Sequence, residues 1–361
     1  MTEPRRPRRR LWIAIAIAMP VAAMVAWNVA GRLHREAPHT SRYREQRDLP
    51  PLPDPADNGW PRIIESPPSH FEPEPPTQEL LAPGEGPPSL ERLEAAREDL
   101  EAWSIPAEGE EAIDQALARP RFVPACPLRL EEACPVMPWL HAHRAAAALA
   151  LRDATLGWDE EALTRAAALL RADRDALLHS RSLIEAMVAV TNAAEAIELV
   201  AMLGAVLGAR EEAAATPDLL AALDAIEIAL GELEPGGWSL ERALIGEAIR
   251  IQSALAALGS TEGSEAVDRG RIARLLDEHF AALLAYAQNP ELDPPAPPSA
   301  GWLWRALDPA GATALEVLVP DLAPHVERFE ESATAAEDRV AAARVTIAAA
   351  RARMELAPTA E

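Results

Sequence analysis

The chain has 361 residues, a net charge of −23 and 34 basic side chains, every one an arginine. Without lysine there is no phosphate-loop lysine, no Schiff-base lysine and no Ser-Lys hydrolase pair. Residues 1–35 carry a net +6, which leaves −29 on residues 36–361. That acidic surface is unsuited to nucleic acid, which is held through cationic contacts, and to anionic lipid.

Arg5, Arg6, Arg8, Arg9 and Arg10 abut an uncharged apolar run from Leu11 to Ala30. About 20 apolar residues cross a bilayer as a helix, and flanking arginines stay on the cytoplasmic side. The reading is a cytoplasmic tail (1–10), a single transmembrane helix (11–31) and a periplasmic remainder, anchored in the inner membrane. Trp12 and Trp27 sit near the two ends of the run, where indole rings favour the headgroup level. A cleaved secretory signal competes with this reading. Its apolar core is shorter, about 7–15 residues, and it ends in a small-residue cleavage site that is lacking here.

From Ala37 to Pro88 the chain holds 14 prolines. Residues 32–88 are therefore expected to form a Pro-rich, acidic, semi-rigid linker. An island at 57–65 interrupts it. There Trp60, Ile63 and Ile64 are expected to dock, more readily on the chain's own folded part than on a partner, since an exposed cluster of this kind would be adhesive.

Helical periodicity then runs almost without pause. Ser89 caps a first helix with Leu90, Leu93, Leu100 and Trp103 on one face, and a short helix follows around Glu110–Ala118. Cys126 and Cys134, the only cysteines, come next. Three readings are open: a disulfide, free thiols, or a metal site that recruits His141 and His143. An oxidising compartment favours the disulfide. Two histidines at i and i+2 on a helix point to nearly opposite sides, which disfavours the metal.

Pro138 opens a helix that stops at Gly157, and Asp159 caps another to about His179. Ser180 or Ser182 starts a long apolar helix to about Ala209. It tempts a second membrane assignment, but Glu185, Asn192, Glu195 and Glu198 make a core helix the better reading. Thr216-Pro217-Asp218 is a strong helix start. Further helices begin at Ser239 and near Ser264, the latter running to Gln288. This core domain (89–289) is followed by a Pro-rich break (290–301) and C-terminal helices (302–357). In the last helix, roughly Pro324–Leu356, Val326, Phe329, Ala333, Val340, Ala343 and Ile347 recur at near-heptad spacing. No stretch alternates as a strand does, so the fold class is all-α, an antiparallel helical hairpin or bundle arrangement.

The joint Ala154-Thr155-Leu156-Gly157-Trp158-Asp159-Glu160-Glu161-Ala162-Leu163 resembles the turn of a tetratricopeptide unit, without a second copy 34 residues on. Asn58-Gly59-Trp60, the segment Ala116-Leu117-Ala118-Arg119-Pro120 and the closing charged helix together resemble a diffuse set of membrane-anchored or secreted helical envelope proteins. That resemblance implies a helical exported domain and no activity.

No Gly-x-Ser-x-Gly, His-Glu-x-x-His or EF-hand loop is present, and no Glu-x-x-His falls within the helical core. No cofactor or metal is implied. The expected function is a non-enzymatic, membrane-tethered protein that binds or scaffolds another envelope protein. A cell-wall glycan hydrolase with paired carboxylates and a structural protein self-associating through residues 324–356 are the alternatives.

Overall fold

The computed structural model describes residues 39–43, 49, 51–81, 88–128, 132, 134–210, 216–233, 240–258, 267–319 and 321–356, besides Met19 and Ala30. The tail at 1–10 and, those two residues apart, the expected transmembrane helix at 11–31 lie outside the described residues. So do the helix starts expected at Ser239 and Ser264.

Among the described residues the fold is all-helical, without a strand. Short elements come first: α1 (Trp60–Ile64), a 3-10 turn (Pro68–Phe71), α2 (Thr77–Leu81), α3 (Leu90–Ala95), α4 (Arg97–Ala102) and α5 (Ala107–Leu117). The long helices follow: α6 (Val136–Leu156), α7 (Asp159–His179), α8 (Leu183–Ala209), α9 (Pro217–Glu232), α10 (Glu241–Leu258) and α11 (Arg269–Gln288). The chain closes with α12 (Trp302–Leu307), α13 (Pro309–Leu318) and α14 (Ala323–Leu356).

Local chemistry sets several of these ends. Ser89, Ser182 and Thr216 each accept a hydrogen bond from the backbone N–H three residues on, which satisfies a donor the first turn leaves open. Gly157 ends α6 at φ 83°, a left-handed conformation that costs a glycine nothing. Two starts differ from expectation. Helix α6 begins two residues before Pro138, and α7 is preceded by Trp158 as its cap, while the Asp159 carboxylate pairs with Arg210.

Helix α8 is the centre of the packing. It is flanked by α6, α7, α10 and α14, and α9 lies across α7. It is long and apolar enough to cross a membrane by composition, yet seventeen of its residues are buried against other helices, Glu185 and Asn192 among them. At Gly204 an added Cβ would sit 3.0–3.2 Å from Thr346 and Ile347, so the missing side chain lets α14 approach closely. All six near-heptad positions of α14 are buried within the chain. The seam expected to drive self-association is therefore covered in cis.

The described part of the expected linker is not an extended spacer. Residues 54–81 carry α1, the 3-10 turn and α2, and Trp60, Ile63, Phe71, Leu80 and Leu81 join the main core. Proline density predicted stiffness, but the apolar residues spaced between the prolines supply enough burial to hold the segment down.

Candidate functional site

The island at 57–65 is built into the core. The Trp60 ring meets Trp139 and Phe122 edge-on, with centroids 5.3 and 6.0 Å apart. Asn58 acts as a backbone mimic: its Nδ2 donates to Val123 O, and its Oδ1 accepts from Val123 N and Trp60 N. At Gly59 an added Cβ would collide with the Ala116 carbonyl oxygen, so only glycine fits between the two segments. Ile63 is buried and Ile64 half-buried.

Cys126 and Cys134 form a disulfide, with Cα atoms 4.8 Å apart. Beneath it, the buried Glu185 accepts hydrogen bonds from Cys126 N at 2.7 Å and Arg181 N at 2.5 Å. Burial pushes its carboxyl above the usual range, and these backbone donors oppose that rise. The two sulfurs and a Glu185 oxygen lie within 4.8 Å of one another, so reduced thiols would face a carboxylate. His141 and His143 do not join this cluster; His143 points into a different centre.

That centre links three helices. His143 on α6 and Asp173 on α7 are both buried, with Nε2 and Oδ2 at 2.9 Å. Glu195 on α8 lies on the other side of the ring, its Oε2 3.7 Å from Nδ1, and it also faces Arg144. Burial opposes the imidazolium, but Asp173 and Glu195 overcome it and raise His143 to about 9. Burial also raises Asp173, with His143 pulling the other way. The two shifts differ in cause: the neighbouring carboxylates hold the His143 proton, whereas the rise at Asp173 is burial opposing its charge.

A cavity of about 20 Å³ borders this pair, roofed by Ile63, Phe122 and Trp139. Space of that size takes one water, whereas ligand sites occupy about 300–1,000 Å³. Its polar lining is His143 and Asp173, already paired with each other. The centre can hold a proton but cannot admit a substrate.

The open site lies elsewhere, between α5, α7 and α9, in a groove of about 680 Å³. Its floor is alanine: Ala118, Ala167, Ala168, Ala221, Ala222 and Ala225. Its rim holds Asp114, Glu160, Glu161 and Asp218. Glu160, Glu161 and Asp218 occupy the first turns of α7 and α9, where the helix dipole favours negative charge. The two cations of the groove are already engaged. Arg165 pairs with Asp153 and Asp114, and Arg171 donates to Leu117 O at 2.8 Å. The groove thus offers small side chains below and carboxylates above.

A second charged cluster closes the end of α7. Arg121 donates to Asp175 at 3.0 Å and faces one ring nitrogen of His179; Arg242 faces the other and donates to Leu178 O. Burial, and after it Arg121, holds His179 below its ordinary range. The arginine contacts to Leu178 O and the ring stabilise the helix C-terminus.

Sequence reasoning weighed His143 only as a metal partner of the cysteines and did not single out Asp173. One signal was available: Asp173 stands in the apolar stripe Leu169, Leu170, Ala172, Ala176, where an unpaired carboxylate would be costly. The groove had no such signal, because it is formed by three helices distant along the chain.

No protein-family model matches the chain, and no curated protein and no solved structure is similar to it.

Proposed function

We propose that this chain is a non-enzymatic, single-pass inner-membrane protein whose periplasmic helices, arranged as repeat-like hairpins, bind a basic segment of another cell-envelope protein. The observation that carries the reading is the groove between α5, α7 and α9. Its volume of about 680 Å³ falls in the range of ligand sites, and helical grooves of this kind receive peptides or helices. An alanine floor lets a backbone approach closely. With Asp114 paired to Arg165 and Arg171 engaged by Leu117 O, the rim carboxylates Glu160, Glu161 and Asp218 favour a cationic occupant.

The glycan hydrolase reading has less support. Glycoside hydrolysis needs two carboxyl groups facing one substrate. The buried carboxyls raised by that burial, Asp153, Asp173, Glu185 and Glu247, do not line the groove. Self-association through 324–356 loses its motivation because that seam is covered by α8.

The test is crosslinking in cells of tagged full-length chain, followed by mass spectrometry of what co-purifies from the membrane. An envelope protein that is enriched by the wild type and lost from Glu160→Arg/Glu161→Arg/Asp218→Arg supports the reading. Equal recovery by both chains refutes the groove.

A further inference from the structure

The three side chains gathered at the disulfide are of metal-ligating types. Cys126 is buried, Cys134 is half-buried, and Glu185, in the first turn of α8, is fully buried. The two sulfurs and one Glu185 oxygen lie within 4.8 Å of one another. Tetrahedral zinc, about 2.3 Å from sulfur and about 2.0–2.2 Å from oxygen, holds such donors roughly 3.5–3.8 Å apart. With the S–S bond open, rotation about the two Cα–Cβ bonds brings the sulfurs to that spacing.

The carboxylate is held in place beforehand. Its Oε1 accepts from Cys126 N and its Oε2 from Arg181 N, and each carboxylate oxygen keeps a further lone pair. Backbone donors of this kind orient a ligating carboxylate. One of them belongs to Cys126 itself, so this hydrogen bond keeps two of the three ligands side by side.

The charge balance suits the place. Two thiolates, one carboxylate and a divalent cation sum to −1. Cys134 comes two residues before α6 begins at Val136, and Glu185 stands in the first turn of α8. Two helix N-termini, which favour negative charge, therefore border the cluster. A cation also offsets the cost of burying the Glu185 carboxylate, which otherwise has backbone donors and the Arg181 charge to oppose it. In the oxidised chain the sulfurs are bonded to each other and carry no charge to give. A dithiol reductant supplies two electrons and two protons to the S–S bond and leaves as its own disulfide. The metal then displaces both thiol protons to solvent.

We propose that reduced Cys126 and Cys134, together with Glu185, form a zinc site that the disulfide closes, so that the chain takes up a thiophilic divalent cation in its reduced state alone. This depends on neither the membrane tether nor the groove.

The experiment titrates full-length protein in detergent with Co²⁺, after reduction by a phosphine. The expected result is one cobalt per chain, with the near-ultraviolet absorption of thiolate-to-cobalt charge transfer, displaced by Zn²⁺ and lacking in the oxidised chain. Glu185→Gln should weaken the affinity at least ~10-fold. No such absorption in the reduced chain, or an unchanged affinity in Glu185→Gln of intact helical content, overturns the site. Should Glu185→Gln unfold, X-ray absorption of the zinc-loaded wild type reads the ligands instead. Two sulfurs at about 2.3 Å with oxygen at about 2.0–2.2 Å are expected; four sulfurs, or histidine among the ligands, overturn it.

Discussion

Asp173→Asn isolates the buried proton. In the folded chain His143 titrates near 9, against an ordinary value of 6.5. Its folded value is the higher one, so the stabilisation it brings is complete below 6.5 and is lost as the pH rises toward 9. Across that window the folded state holds one more proton than the unfolded state, and stability falls by roughly 1.4 kcal/mol per pH unit, about 3 kcal/mol in all. His179 and His279 are held below their ordinary range, chiefly by burial. Their effect has the opposite sign and falls below pH 6.5, so it does not mask the window. Replacing Asp173 by asparagine keeps the shape but removes the carboxylate that stabilises the imidazolium. The expected result is a flat stability profile between pH 6.5 and 9, together with a loss of about 3–5 kcal/mol at pH 6, the cost of breaking a buried pair. The assay is thermal and urea unfolding of the full-length protein in detergent, followed by circular dichroism at several pH values. A variant with the wild-type slope would refute the assignment of the proton to His143 and Asp173.

Trp60→Ala should cost about 3–5 kcal/mol, as for a large core truncation, because the ring packs between Trp139 and Phe122; urea midpoints measure it. Gly59→Ala should release the island, which limited proteolysis within 54–64 would detect, since its Cβ runs into Ala116 O. Reduction of Cys126–Cys134 should cost about 2.5 kcal/mol, the value for a short closed loop, and is read by unfolding with and without reductant. A cysteine introduced by Glu45→Cys should be labelled from outside intact spheroplasts; protection there would overturn the proposed topology.

The long helices were legible because their signals are local. Ser182, Thr216 and Gly157 act through their own neighbours within one turn, and the apolar spacing of α14 describes its own buried face. The start of α7 was misread by one residue, because Arg210, 51 positions away, draws the Asp159 carboxylate into an ion pair. The linker was misread for a related reason. Its prolines advertise extension locally, but beyond the expected island Phe71, Leu80 and Leu81 find partners that only the folded body supplies. His143, Asp173 and Glu195 are brought together by the packing of α6, α7 and α8, which no spacing rule encodes. The groove likewise exists only after α5 and α9 have come to rest on either side of α7.

The most direct test of the groove places a photo-crosslinking residue in living cells at Ala221, on its exposed floor, and at Val345 on α14 as the control. An adduct with one envelope protein from position 221, absent from 345 and removed by Glu160→Arg/Glu161→Arg with the helical content intact, is the predicted result. The same adducts from both positions, or an adduct indifferent to the charge reversal, would contradict the claim that this groove is the binding site.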